Sequence, residues 1–506
     1  MQGLALCLVA TAVAEELPID PVTLLQWRDA VQLVERHEAR IWPGYQLARI
    51  PALLMHPGKA EVLLRFPQPP PSYVRFTGTH PLGAEPLFVR RGTTVYSVTT
   101  DTTADINGVQ TLVVTDRAAR DGSNDPWNLC TQVHEGFHAF AAGAMKLPAY
   151  SELDLADYPD LEPERSARLH LEGDALLAAL AATTADEREE QALTFLALRR
   201  ARRAGLAPAI VRAEDANELN EGLATYVEWR ALELWRDEGV SAELLAANPE
   251  LARPNAFADE IAQRTLQLGH LARHTMGVNG SEFGTAVVRR RGYFFGAAIG
   301  RLLDAIDLDW KPRTLRGEPL TDLLHDALGA PDDAELAGLA ADAEAAAGLT
   351  ALVERKTVQA AKAHRERESV IAKVLDPDAA GTLLRIEVSA LTTAPLLAAS
   401  YTPFGVVRVD PERRLYWMAP TTFALGPAAV ETLRGDIAII TDDGRHELLV
   451  RVPTDAAAVL QQLTRPAAPD QPAFADAALR IDGHVSAATQ DSDGSILVRL
   501  ADPRRG

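Results

Sequence analysis

The chain has 506 residues, too many for one ordinary core, so about two to four domains are expected. Hydrophobic residues make up 47% and charged residues 24%, as in soluble globular proteins, and the formal net charge is −20 with no long basic run. A nucleic-acid partner therefore has no electrostatic footprint, and the acidity itself says little about substrate.

Residues 1–14 come first. Gln2 to Ala14 form a short apolar run ending in Ala12-Val13-Ala14, ahead of Glu15-Glu16. This has the form of the apolar region and cleavage site of a signal peptide, although a basic start is missing. Export, to the periplasm or out of the cell, is the expectation. The alternative is a buried N-terminal element in a cytoplasmic protein. With residues 1–14 removed Cys7 is lost, and Cys130 has no partner for an intramolecular disulfide. No run of about 18 or more apolar residues occurs, so no membrane-spanning helix is expected.

Residues 15–120 read as a mixed, β-rich region. LLQWRDAVQLVERHEARIW is amphipathic, and AEVLLRFP, PLFVRR, TTVYSVTT and VQTLVVTD are strand-like runs bounded by Pro, Gly and Asp. Residues 121–375 carry helical patterns almost throughout. Asp125-Pro126 opens the first with a cap residue and a first-turn proline. LEPERSARLHLEGDALLAALAA, DEREEQALTFLALRRARRAG, EDANELNEGLATYVEWRALELW, AFADEIAQRTLQLGHLARH and RGYFFGAAIGRLLDAI follow. A long Ala-rich stretch from Asp333 to Leu375 reads as scaffold. In residues 376–506 the pattern becomes β, with TLLRIEVSAL, FGVVRVD, RLYWMAP, DIAIITDD, HELLVRVP and SILVRLAD separated by turn residues. A C-terminal β domain is predicted.

The first long helix contains His134-Glu135-Gly136-Phe137-His138. Residues four apart share a helix face, so both imidazoles can reach one ion, with Glu135 beside them. Zinc takes neutral imidazole and carboxylate ligands and in catalytic sites keeps one position open for water. It lowers that water's pKa to about 7, and a nearby carboxylate can take the proton and pass it on. Gly136 inside the helix hints at close packing. H-E-x-x-H supplies only two ligands, and a chance occurrence on an ordinary helix is the competing explanation. A third ligand is required.

The continuation H-x-x-G-x-x-H is absent, because Ala141 and Ala144 stand at those positions. Glu218 to Trp229 read ELNEGLATYVEW, and this resembles the N-E-G-x-A-x-Y-x-E segment of the aminopeptidase N-like gluzincins, zinc metallopeptidases with a thermolysin-like core. The resemblance implies that Glu221 is the third ligand of one Zn2+ ion. Thr225 and Glu228, four and seven residues on, are candidate partners for the ligand histidines, as is Glu218 one turn earlier. Arg291 to Asp304 read RGYFFGAAIGRLLD, where Tyr293-Phe294-Phe295-Gly296 fits the Y-x-x-G segment at the helix start that carries the family's catalytic tyrosine. Tyr293 would then donate to the oxyanion. Three features depart from the family. The stretch between His138 and Glu221 is much longer than in aminopeptidase N, no G-x-M-E-N segment precedes His134, and the flanking regions show no likeness. Aminopeptidase specificity is not implied.

Competing sites are fewer. Glu172 is a rival third ligand, but as a buried carboxylate it needs a partner, and Arg199, Arg200 or Arg203 could provide one. His270 and His274 are four apart without a third ligand nearby. Cys130 reads as a small buried thiol. Arg289, Arg290 and Arg291 could draw a substrate carboxylate, with a solvated basic run as the default.

The expectation is an α+β chain: a mostly helical zincin domain between an N-terminal β-containing region and a C-terminal β domain. It would be a zinc metallopeptidase acting on peptide or protein, with His134, His138 and Glu221 as ligands, Glu135 as base and Tyr293 as oxyanion donor. The alternatives are a zinc hydrolase of another substrate and a non-catalytic binding protein.

Overall fold

Asp20 and Pro21 start the first helix, Pro21–Arg36. The Asp20 carboxylate accepts from Val22 N at 2.9 Å, and proline occupies the first turn, where no amide hydrogen is needed. The computed structural model describes residues 16–506 apart from 93, 95–100, 121–124, 150–153, 156, 274–284, 307–308, 392–405, 411, 418–419, 427, 434–437, 442–445, 466–470 and 503–506. The N-terminal run 1–14, most of TTVYSVTT and His274 therefore lie outside the described residues, as does the side chain of Asp125. Helix makes up 53% and strand 19%, which makes the protein a mixed α+β chain. Among the described residues no single helix is long and apolar enough to cross a membrane.

The chain divides into two compact units, each assembled from separated stretches. The first comprises Met1–Leu147, Leu219–Leu266 and Gly296–Glu318. Its sheet is built from β1 (Ala52–His56), β2 (Ala60–Leu64), β3 (Val74–Arg75), β4 (Leu87–Arg91), β5 (Thr102–Ile106) and β6 (Val109–Thr115), in the order β3-β4-β2-β1-β6-β5. β1 runs antiparallel to β2 and parallel to β6. Strands β1 and β2 are buried along almost their whole length, so apolar residues fill successive positions instead of alternate ones, with Glu61 the buried charged exception in β2. The helix with both histidines, Asp125–Ala144, packs on β5 and β6 and on the helix Leu223–Glu238. Trp42, Phe137, Tyr226 and Trp310 form an edge-to-face cluster with centroids 5.0 to 6.1 Å apart, joining those two helices. A Cβ on Gly136 would lie 2.4 Å from Leu47 and 2.6 Å from the Tyr45 hydroxyl, which donates to Val133 O. Absence of a side chain there lets the tyrosine reach the backbone of the motif.

The second unit comprises Pro148–Glu218, Gln267–Phe295 and Pro319–Gly506. The helices Pro163–Ala181 and Ala185–Arg203 form a hairpin. Residues 382–501 form a seven-stranded and a four-stranded sheet over one core that includes Leu384, Val450, Phe423, Val430 and Ile481. The sequence suggested neither the short strands Thr421–Leu425 and Ala428–Thr432 nor the helix Ala456–Leu463. The Ala-rich scaffold is two helices, Asp333–Ala346 and Leu349–Leu375, parted at Gly348 with φ 66°.

Candidate metal centre

The predicted helix over Glu214–Trp235 is interrupted. Pro208–Asn217 is α-helical, Glu218–Gly222 forms a π turn, and α-helix resumes at Leu223. Such a wide turn inserts one residue into the helix and is frequent at functional positions. It contains Glu221. The Thr225 hydroxyl donates to Glu221 O at 2.9 Å, so it secures this turn and does not serve a ligand histidine.

His134, His138 and Glu221 come together in the first unit, and they are the only such donor group among the described residues that could hold a metal ion. The two Nε2 atoms are 3.2 Å apart, and Glu221 Oε2 lies 3.7 Å from that of His134 and 3.3 Å from that of His138. Donors around a tetrahedral zinc stand about 3.3 Å apart, so the triangle has the right size. Its chemistry points the same way. Glu228 Oε2 lies 2.9 Å from His134 Nδ1. With Nδ1–H donating to that carboxylate, Nε2 faces Glu221 Oε2, and the place between them takes a cation: a proton on Nε2, which makes His134 an imidazolium, or a metal ion in the proton's stead. Burial opposes the imidazolium of His134. The hydrogen bonds to Glu221 and Glu228 outweigh it and raise the pKa to about 10, so a positive charge at this point is favoured.

Glu135 follows His134 on the same helix. Burial raises its pKa, against the lowering effect of His134 and His138, and the negative charges of Glu221 and Asp101 add to the rise. A carboxyl lifted this way holds a proton more readily than a free one, which suits a group that must take a proton and pass it on. Asp101 precedes β5, whose only paired neighbour among the described residues is β6, leaving β5 at the sheet edge.

Behind the ligands, Glu228 is buried. Burial pushes its carboxyl up, and Arg264 and the His134 hydrogen bond bring it down to about 2. Arg264 and Glu260 were not foreseen; the only local signal was an acid–base pair four apart in DEIAQR. Cys130 is a buried free thiol 3.2 Å from Glu228 Oε1, with its pKa pushed up by burial first and by Glu228 second.

Other sequence candidates fall elsewhere. Glu172 is held by Arg199 at 2.7 Å and by Arg202 at 2.6 Å in the second unit. Arg202, not Arg200 or Arg203, is thus its second partner. The Glu218 carboxylate accepts from both terminal nitrogens of Arg199, at 2.9 and 2.6 Å, which leaves it no histidine role. Tyr293 also belongs to the second unit, inside the helix Thr285–Ile306 and not at its start. Its hydroxyl accepts a hydrogen bond from Arg289, whose guanidinium lies 5.2 Å from the ring centroid. Arg291 is buried against the Tyr158 ring, so the basic run is not wholly solvated. His270 is exposed. The chain matches no protein family, no curated protein and no solved structure.

Proposed function

We propose that the protein is a zinc-dependent peptidase of the gluzincin type, with one Zn2+ held by His134, His138 and Glu221. The observation that carries this reading is the convergence of both Nε2 atoms and Glu221 Oε2 on one point, with Glu135 next to His134 on the same helix. When bound, zinc supplies Lewis acidity, acidifying a water and polarising the carbonyl that the water attacks. Glu135 takes the proton of the attacking water and delivers it to the leaving nitrogen, a task its raised pKa favours. Glu228 holds His134 in the tautomer that presents Nε2. A peptide is favoured as substrate because β5 is the end strand of its sheet among the described residues, a place where an extended chain can add by main-chain hydrogen bonds. Asp101, immediately before β5, is close enough to act on Glu135.

A thermolysin-like core is part of the proposal. Its support is a sheet packed by the H-E-x-x-H helix, with the helix that follows Glu221 packed on that helix in turn. Export to the periplasm or beyond is proposed from the signal-like run 1–14.

Peptide-library cleavage read by mass spectrometry, with and without chelator, tests the function. The wild type should cleave and the chelated protein should not. Glu135→Gln should retain zinc and lose about 10²-fold or more of the rate. Zinc-loaded protein that cleaves no peptide but opens small esters would move the substrate class. Zinc with no hydrolysis dependent on Glu135 would remove the enzyme reading.

A further inference from the structure

A carboxylate has two oxygens and can rotate, so a glutamate orients a histidine only if something holds its other oxygen. Glu228 is held. While Oε2 meets His134 Nδ1, Oε1 accepts a hydrogen bond from Arg264 Nη2, with the Cys130 thiol 3.2 Å away as a second donor. Arg264 is fixed in turn. Its Nη1 donates to Glu260 one helical turn earlier, and its guanidinium lies 5.3 Å from the ring centroid of Trp127 on the H-E-x-x-H helix. Only 2% of the Arg264 side chain is exposed. Arg264 answers the charge of Glu260 within its own helix and that of Glu228, a buried carboxylate, on another. The additional bond to Glu228 connects the guanidinium, through one carboxylate, to a candidate ligand.

We propose that Arg264 is the positioning residue of the metal centre: by occupying Glu228 Oε1 it turns Oε2 onto His134 and keeps the Nε2 lone pair directed at the metal position. The inference rests on the zinc reading given above. A planar guanidinium suits the task, since its fork bonds two carboxylates at once in fixed directions. Partners behind a ligand histidine typically alter metal affinity by about 10- to 100-fold.

Arg264→Gln leaves two buried carboxylates without their cation and could simply unfold the protein. Arg264→Gln combined with Glu260→Gln removes one charge of each sign, so Glu228 is the one carboxylate left without the guanidinium, and it keeps its hydrogen bond to His134. Zinc affinity is measured on the full chain by chelator competition, with the visible spectrum of the cobalt-loaded protein as a second readout. The double variant should stay folded, with an intact far-UV spectrum and a cooperative melt, yet bind zinc about tenfold or more weakly and show an altered cobalt spectrum. Wild-type zinc affinity and cobalt spectrum in the folded double variant would overturn the role of Arg264. Failure of the wild type to take up zinc would instead overturn the metal centre itself. Wild-type zinc binding without peptide cleavage would overturn the peptidase reading and leave Arg264 in place.

Discussion

Glu221 and Glu172 are both buried glutamates that the sequence offers as a third ligand, and their surroundings give them opposite consequences when removed. Glu221→Ala takes one of three donors from the centre, and zinc affinity measured by chelator competition should fall by more than about tenfold. Glu172→Ala should leave zinc affinity unchanged. It strips a carboxylate from Arg199 and Arg202, and chemical denaturation should show a loss of about 3 kcal/mol or more, the usual result of breaking a buried ion pair from one side. Zinc binding that survives Glu221→Ala and disappears in Glu172→Ala would reverse the ligand assignment. The two histidines and Glu135 were legible because helix periodicity is local. Two residues four apart face the same way whatever the rest of the chain does. Arg264 was not legible, because nothing within its own helix marks which distant carboxylate it will meet.

Elements show the same division between local and non-local information. The strands that were read correctly in place, such as Glu447–Val452 and Ile496–Ala501, are rich in Val, Ile and Leu and bounded by turn residues. The strand Thr421–Leu425 was missed, because its TTFAL sequence is short and its burial comes from cross-strand partners such as Val430 opposite Phe423. The π turn at Glu218–Gly222 has no sequence signature, since Asn220 and Gly222 weaken a helix without specifying a wide turn. One non-local cap decides how the long helix Leu349–Leu375 ends. Arg451, from the strand Glu447–Val452, donates to the carbonyls of Val374, Asp376, Ala379 and Gly381 at 2.7 to 3.2 Å. A cation at a helix C-terminus also meets the negative end of the helix dipole. Arg451→Met should cost about 1–2 kcal/mol, because water can reach part of this site and replace some of the bonds. Amide exchange in the last turn before Leu375 should quicken, while exchange in the strand Thr382–Glu387 stays slow. Unaltered exchange at that helix end would show that the arginine does not cap it.

For the molecule as a whole, acid is the informative variable. Burial alone would push the carboxyls of Glu214 and Glu172 up, but Arg202 and Arg203 at Glu214, and Arg202 and Arg199 at Glu172, hold both below the usual carboxylate range. A group whose folded pKa is depressed adds stability above its unfolded value, near about 4.3, and that stability is lost as the pH falls toward the folded value. Asp215 and Glu218 are raised, chiefly by burial, so their contributions grow on acidification and soften the loss. Urea midpoints of the second unit should be flat from neutral to about pH 5 and fall below about pH 4; a midpoint unchanged at about pH 3 would contradict this account. The sequence by itself determined the α+β composition, the face shared by His134 and His138, and Glu221 as the residue to test, since each follows from periodicity or a short segment. Only the tertiary structure decided that Glu221 joins the histidines, that Glu228 and not Thr225 or Glu218 supports His134, and that Arg199 and Arg202 claim Glu172. Those outcomes depend on which buried charges meet across long separations in the chain, and a buried charge settles on whichever partner the packed fold brings within hydrogen-bond distance.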